Sequence, residues 1–131
     1  MGLSELEKAY AFYSSILVFK ALVLTAVTIA RRFKYQAFSK TQDHPAVEEV
    51  RRCHLNDIEN LVPFGLLGWL YCQTDPSPCW ALFHFRLFAL MRILHTPAFI
   101  FTEGKFPRGP IALMGILINV SLAVQCMAYF S

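Results

Sequence analysis

The sequence predicts an all-α protein, an integral membrane four-helix bundle formed by a single domain, residues 1–131. Two observations lead to this prediction. Hydrophobic residues make up 56% of the 131-residue chain and charged residues only 16%, which is too apolar for an ordinary soluble domain. The apolar residues also form four long segments separated by short polar connectors. A segment of about 20 apolar residues is long enough to cross a bilayer as a helix.

The first two helices are predicted at about 10–32 and 46–73. The first contains the run YAFYSSILVFKALVLTAVTIA, in which Lys20 is the one charged residue. Lys20 is expected to have a structural role, either by reaching an interface or by pairing with an acid on the second helix. Pro45 is a start signal for the second helix, and the turn sequence QTDPSP ends it.

The third and fourth helices are predicted at about 79–102 and 109–130. The third is apolar except for four basic or imidazole side chains, which are His84, Arg86, Arg92 and His95. His84 is expected at the lumenal membrane interface. The connector TEGKFPRGP precedes the fourth helix, which has only three polar interruptions, namely Asn119, Ser121 and Gln125.

Basic residues indicate how the helices are oriented across the membrane. Most lie in the first and third connectors or beside them: Arg31, Arg32, Lys34, Lys40, Arg51, Arg52, Lys105 and Arg108. The termini and the second connector contain only Lys8. By the positive-inside rule, both termini are expected on the lumenal side. Polar ends of all four helices then meet at the cytosolic face.

Charge and cysteine pattern exclude several classes of function. The net charge is +3, and the basic residues sort by connector, so no nucleic-acid partner is predicted. The four cysteines lack CxxC spacing. Neither a metal site nor a disulfide framework is therefore indicated.

The second helix carries a polar stripe into its apolar half. At about 100° per residue, Arg52, Asn56 and Glu59 share one face with Pro63, and Asp57 is expected on the opposite side. A cation, an amide and an anion in register are costly inside a bilayer unless each of them meets a partner. The stripe is therefore typical of a site.

A second polar face lies on the third helix, where Arg92 and His95 share a sector with Thr96 and Phe99. Two interpretations are open at this point. Glu59 and Arg92 could form a structural ion pair that fixes helix packing, or the two faces could bind a ligand. The cations near this level outnumber Glu59, and they are Arg32, Arg52, Arg92 and Arg108. An excess of buried positive charge favours an anionic ligand.

These residues resemble a known family. The run VEEVRRCHLNDIENLVPF, followed by HFRLFALMRILHTPAF, is similar to the membrane-associated proteins in eicosanoid and glutathione metabolism (MAPEG), especially the microsomal glutathione transferases, with microsomal prostaglandin E synthase near by. The most specific part is the motif Arg-x-x-x-Asn-x-x-Glu-x-x-x-Pro. The resemblance implies a homotrimer in the endoplasmic reticulum membrane, with the mitochondrial outer membrane as a further location. It also implies glutathione bound between neighbouring subunits at the cytosolic side.

The resemblance further implies a role for each polar residue. Those that match glutathione-binding positions are Arg32, Arg52, Asn56, Glu59, Arg92 and His95. Arg108 matches the arginine on the thiol side of the ligand and is the predicted catalytic residue. Glutathione carries two carboxylates and one ammonium, and several arginines with one glutamate complement those charges.

Three departures from the family pattern bear on activity. Phe99 stands where a tyrosine is frequent, so that hydroxyl is missing. Gly109 stands where the prostaglandin synthase carries a serine, and Asp43 matches either that enzyme's acidic residue or only the acid that precedes the second helix. The losses at Phe99 and Gly109 weigh against prostaglandin synthesis.

The predicted function is that of a membrane glutathione transferase. It would join the glutathione thiolate to hydrophobic electrophiles or lipid substrates and would also have peroxidase activity on lipid hydroperoxides. Glutathione-dependent prostaglandin E synthesis is the alternative among enzymes. A non-catalytic membrane scaffold of the same superfamily is the alternative from another class.

Overall fold

The computed structural model describes residues 2–39, 43–102 and 106–131, so Lys40 and Lys105 of the basic connectors lie outside the described residues. It contains four α-helices: α1 (Glu5–Tyr35), α2 (Pro45–Cys72), α3 (Pro78–Phe101) and α4 (Arg108–Phe130). The predicted all-α, four-helix fold is confirmed. The largest difference in bounds is at the start of α1, which begins at Glu5 instead of near residue 10.

Local sequence explains where the first two helices begin. The Ser4 side chain accepts a hydrogen bond from the Glu7 backbone N–H, and the Glu7 carboxylate accepts one from the Ser4 N–H, so two otherwise unpaired helix donors are satisfied. In α2, Pro45 occupies the first turn and His44 caps it through a hydrogen bond from the Ala46 N–H. The His44 ring stacks on Tyr35 at 3.8 Å between centroids, which joins the end of α1 to the start of α2.

The helices pack so that α1 and α4 each contact both α2 and α3. Among the described residues, α1 and α4 do not contact each other, because the middle pair separates them. The core is aromatic where these helices meet. Phe64 of α2 stacks on Phe88 of α3 with centroids 4.0 Å apart, and Tyr10 of α1 meets Phe85 edge to face.

Gly68 lets α1 approach α2 closely. A Cβ at this position would lie 2.5 Å from Tyr10 Cε2, so any side chain would collide with the ring. The Tyr10 hydroxyl donates a hydrogen bond to the Gly65 carbonyl nearby. A small residue at a helix contact is common in membrane bundles for this reason.

Two helices, α1 and α4, are long and apolar enough to cross a membrane. Their outward faces carry large apolar side chains, among them Phe19, Leu22, Leu117 and Val120, each at least half exposed on the single chain. The predicted membrane character of the chain thus has its structural basis in these two helices.

Candidate functional site

A buried cluster of charges lies where α1, α2 and α3 meet. Asp57 and Arg92 are both 0% exposed. Asp57 Oδ1 accepts hydrogen bonds from Arg92 Nε, at 3.0 Å, and from Arg92 Nη2, and Asp57 Oδ2 accepts one from Lys20 Nζ at 2.6 Å. Lys20 also donates to the Arg92 backbone carbonyl. We call Lys20, Asp57 and Arg92 the charged cluster, and it links three helices through one carboxylate.

The charged cluster bears on two expectations from the sequence, one for Lys20 and one for Glu59. Of the two roles expected for Lys20, the structure shows pairing with an acid on α2. The alternative in which Glu59 pairs with Arg92 is wrong, because the carboxylate that meets Arg92 is Asp57, and Glu59 is exposed. The inner face of α2 runs through Cys53 and Asp57, so Glu59, about 200° further around the helix than Asp57, points outward.

Asn56 and His95 join the charged cluster through Arg92. Arg92 Nη2 donates to Asn56 Oδ1 at 3.1 Å and lies 3.2 Å from His95 Nδ1. The two hydrogens of Arg92 Nη2 are used by Asp57 Oδ1 and Asn56 Oδ1, so the approach to His95 Nδ1 is a close polar contact that does not fix the tautomer of the ring. Arg92 Nη1 is buried and has no hydrogen-bond partner among the described residues. Three of the predicted ligand-binding side chains therefore meet inside one chain.

Arg52 and Arg108 lie together in a cleft at the end of the bundle where α2 begins. This arginine cleft has a volume of about 570 Å³ and is lined by Asp43, His44, Pro45, Glu48, Glu49, Arg52, Phe99 and Arg108. The Arg108 guanidinium sits over the Phe99 ring, 5.2 Å from its centroid. A cation in this position is stabilised by the negative face of the ring.

Phe99 connects the arginine cleft to the charged cluster. Its ring lies 5.6 Å from the His95 ring, measured between centroids, and His95 contacts Arg92. A continuous row of contacts therefore starts at Arg108, the first residue of α4, and continues on α3 through Phe99 and His95 to Arg92 at the centre of the bundle.

Glu48 is a member of the cleft that the sequence analysis missed. It lies in the first turn of α2, before the apolar run of that helix. Arg51 and Arg52 donate hydrogen bonds to its carboxylate at 2.8 and 3.0 Å, and these bonds lower the pKa of Glu48 to about 2. Arg52 is consequently paired within its own chain, and its side chain is 70% exposed.

Arg32 lies apart from the arginine cleft. It lines a second cleft of about 340 Å³ between the end of α1 and the start of α2, together with Ala37, Phe38, Ser39, Asp43, Val47, Glu48 and Arg51. The two clefts share Asp43 and Glu48 as lining residues. Within a single chain, Arg32 and Glu59 are thus the two predicted site residues that are not brought to the others.

Comparison with known proteins identifies the family. A sequence model of the MAPEG family matches residues 10–128. The chain belongs to the MAPEG family. It is 32% identical to human microsomal glutathione S-transferase 1, over 94% of this chain and 90% of that protein, and 31% identical to the rat protein of the same name over 95% and 90%. It is also 34% identical to human prostaglandin E synthase, over 79% of this chain and 73% of that one.

The MAPEG relatives and the apolar helices agree on one point. Relatives named as microsomal, together with α1 and α4, indicate a membrane protein. Their names are those of enzymes, and that of the transferase includes glutathione. Both kinds of relative align over most of the chain, so the family alone does not separate the two activities.

A second buried polar cluster lies toward the other end of this MAPEG chain. His84 is buried there, with its Nε2 2.9 Å from Ser121 Oγ and its Nδ1 2.9 Å from the Trp80 carbonyl. The Tyr71 hydroxyl donates to Gln125 Oε1 at 2.9 Å, and Gln125 Nε2 donates to Ser121 Oγ at 3.2 Å. We call Tyr71, His84, Ser121 and Gln125 the neutral cluster.

Asp57 is the main site residue that the sequence analysis placed wrongly. Asp57 lies about 140° around the helix from Arg52, so it does not belong to the stripe of Arg52, Asn56 and Glu59. Two signals pointed to Asp57. A charged side chain within a membrane helix nearly always faces the bundle interior, and Lys20 on α1 required an acid on a neighbouring helix.

Proposed function

We propose that this MAPEG protein is a membrane-bound glutathione transferase that conjugates the glutathione thiolate to hydrophobic electrophiles. The observation that carries the proposal is the row of contacts from Arg108 to Arg92, which joins an open cleft to a buried cationic centre. The open end of this row is the arginine cleft, where Arg52 and Arg108 suit an anionic ligand. The names of the relatives support glutathione as that ligand.

Charge complementarity assigns the ends of glutathione. Arg52 and the Asn56 amide would bind its carboxylates and Glu59 its ammonium, while Arg92 and His95, which are buried, would support Asn56 from inside the bundle. Arg32 would add a further cation from a neighbouring subunit. The arginine cleft of one chain also contains Asp43, Glu48 and Glu49, which offset Arg52 and Arg108. A second chain is therefore needed to give the site the positive excess that an anionic ligand requires.

The proposal includes assembly as a homotrimer in the endoplasmic reticulum membrane, with the mitochondrial outer membrane as a further location and both termini on the lumenal side. Glu59 supports assembly because it is exposed among large apolar side chains of the same helix face, which include Leu55, Ile58, Val62 and Leu66. A carboxylate facing lipid is costly. Covering this face with another copy would give Glu59 a polar environment.

Arg108 would act on sulfur. Its guanidinium, held over the Phe99 ring, would stabilise the thiolate after the thiol proton passes to solvent. The thiolate would then form a sulfur–carbon bond with the electrophile as the leaving group departs with its bonding electrons. In the peroxidase reaction, two glutathione molecules would reduce a lipid hydroperoxide to its alcohol and water and become the disulfide.

The direct test is conjugation of a chromogenic aryl halide by the purified, detergent-solubilised protein. Glutathione-dependent product above the uncatalysed rate, lost in Arg108→Ala, is the expected result. Binding of glutathione without turnover on any aryl halide would overturn the transferase assignment. Absence of glutathione binding would favour the scaffold alternative.

Prostaglandin E synthesis is the second candidate, and one comparison favours it, namely the similarity to human prostaglandin E synthase over 79% of the chain. Phe99 and Gly109 weigh against it because neither supplies a hydroxyl beside Arg108. Isomerisation of the endoperoxide substrate by the same purified protein, faster than aryl halide conjugation, would reverse this ranking.

A further inference from the structure

Arg92 controls which atom Asn56 can offer to a ligand. The Arg92 Nη2 group carries two hydrogens, and it donates them to Asp57 Oδ1 and Asn56 Oδ1. With its oxygen engaged in this way, the Asn56 amide presents its Nδ2 group at the other end. That group is a hydrogen-bond donor.

Asp57 in turn controls Arg92. It accepts from both Nε and Nη2, which is the side-on geometry that fixes the plane of a guanidinium. Lys20 anchors the second oxygen of Asp57 at 2.6 Å and also donates to the Arg92 backbone carbonyl. Because Asp57 and Arg92 are both fully buried, Arg92 has no solvent-facing alternative orientation.

We propose that Asp57 is a positioning residue that commits Asn56, through Arg92, to donate to a carboxylate of the ligand. The proposal rests on the proposed function, since it takes glutathione as the ligand. It assigns the Asn56 amide to an anionic group of glutathione. The ammonium is assigned to the outward face of α2, where Glu59 lies.

Substitutions of Asn56 test whether its amide donates a hydrogen bond to the ligand or accepts one from it. We call this comparison the sign test. In Asn56→Asp, one carboxylate oxygen still accepts from Arg92, and the other replaces the Nδ2 donor with an acceptor. Calorimetric titration of the full-length, detergent-solubilised protein with glutathione should therefore show weaker binding for Asn56→Asp than for Asn56→Ala, with Asn56→Ala itself about tenfold weaker than wild type. Asn56→Asp binding as tightly as wild type would overturn the proposal, because Asn56 would then accept from the ammonium.

A double-mutant cycle tests whether Asp57 acts through Asn56. Asp57→Asn should weaken glutathione binding about tenfold in the wild-type background and by less than twofold in the Asn56→Ala background. It should raise KM for glutathione more than it lowers kcat. Equal losses in the two backgrounds would show that Asp57 supports only the fold and would overturn the proposal.

The neutral cluster provides a matched control. Ser121→Ala removes a partly buried hydrogen bond to His84 at the other end of the bundle, so it should lower the unfolding temperature and leave glutathione affinity within twofold of wild type. If Asp57→Asn does not fold, the sign test at Asn56 can still overturn the proposal, because it keeps Asp57 and Arg92 in place. Failure of the wild type to bind glutathione would overturn the proposed function, whereas binding with an unaffected Asn56→Asp overturns only the positioning role.

Discussion

The charged cluster and the neutral cluster are both buried polar groups between helices, but they differ in charge balance and in saturation. The neutral cluster joins uncharged side chains whose donors and acceptors match, as in the pair of His84 and Ser121. The charged cluster holds two cations and one carboxylate, and Arg92 Nη1 has no partner among the described residues. A matched network fixes packing, whereas a surplus of buried donors and positive charge also suits an anion.

Separating the subunits of the proposed trimer should have the largest effect, and it should act on the charged end of the molecule. We expect native mass measurement of the solubilised protein to show three chains and dissociation to abolish conjugation, because Glu59 and Arg32 are not brought to the other site residues within one chain. The neutral cluster should persist in the dissociated chain. A fully active monomer would contradict the assembly.

Removing the central carboxylate of Asp57 is expected to have the second-largest effect. Asp57→Leu leaves Lys20 and Arg92 as unpaired buried cations and is expected to lower the free energy of unfolding by about 3–5 kcal/mol. Circular dichroism during denaturation in detergent measures it. The triple variant Lys20→Met, Asp57→Leu, Arg92→Met should recover most of the stability without recovering glutathione binding. A loss below about 1 kcal/mol for Asp57→Leu would mean that the two clusters are energetically alike.

Arg108→Ala tests whether the chemistry belongs to the charged end of the molecule. We expect turnover to fall about 10²- to 10³-fold, since one preorganised donor to a developing or bound anion is typically of that magnitude. The ultraviolet absorbance of bound thiolate across pH measures the cause. Arg108→Lys should retain part of the activity, and Phe99→Tyr in the Arg108→Ala background should restore some of it. An unchanged thiolate titration together with unchanged turnover would show Arg108 to be only a connector cation.

Glu59→Gln should weaken glutathione binding more than tenfold, because it leaves the ligand's ammonium unpaired and an unpaired charged group costs more than the roughly 1.4 kcal/mol that a decade represents. Calorimetric titration measures the dissociation constant. Glu5→Gln is the control, since Glu5 is exposed and pairs with Lys8 at the far end of α1. An unchanged constant with the oligomer intact would limit Glu59 to contacts between helices.

The smallest effect is expected in the neutral cluster. Ser121→Ala should lower the free energy of unfolding by about 1 kcal/mol, which is typical for one uncharged hydrogen bond, and should leave turnover unchanged. Thermal unfolding and aryl halide conjugation measure the two quantities on the same preparation. A loss of turnover without loss of stability would give this end of the bundle a part in the chemistry.

Much of the fold could be predicted because hydrophobic length and punctuation are local properties. The apolar runs, Pro45 at the start of α2 and the Asp75 turn indicated four helices, and the structure contains them. The gathering of Asn56, Arg92 and His95 was anticipated in part from helical spacing and from the family resemblance. The role of Glu48 was not, because its pairing with Arg52 competes with the ligand that Arg52 suggested.

The sequence by itself determined the helices, the family and the surplus of basic residues near one level of the bundle. Only the tertiary structure decided which acid neutralises Arg92. Asp57 and Glu59 are two residues apart, so they lie about 200° apart on α2, and either could have faced inward. The choice depends on how α2 is rotated against α1 and α3, and that rotation is set by Lys20 and Arg92 reaching the same carboxylate from two other helices.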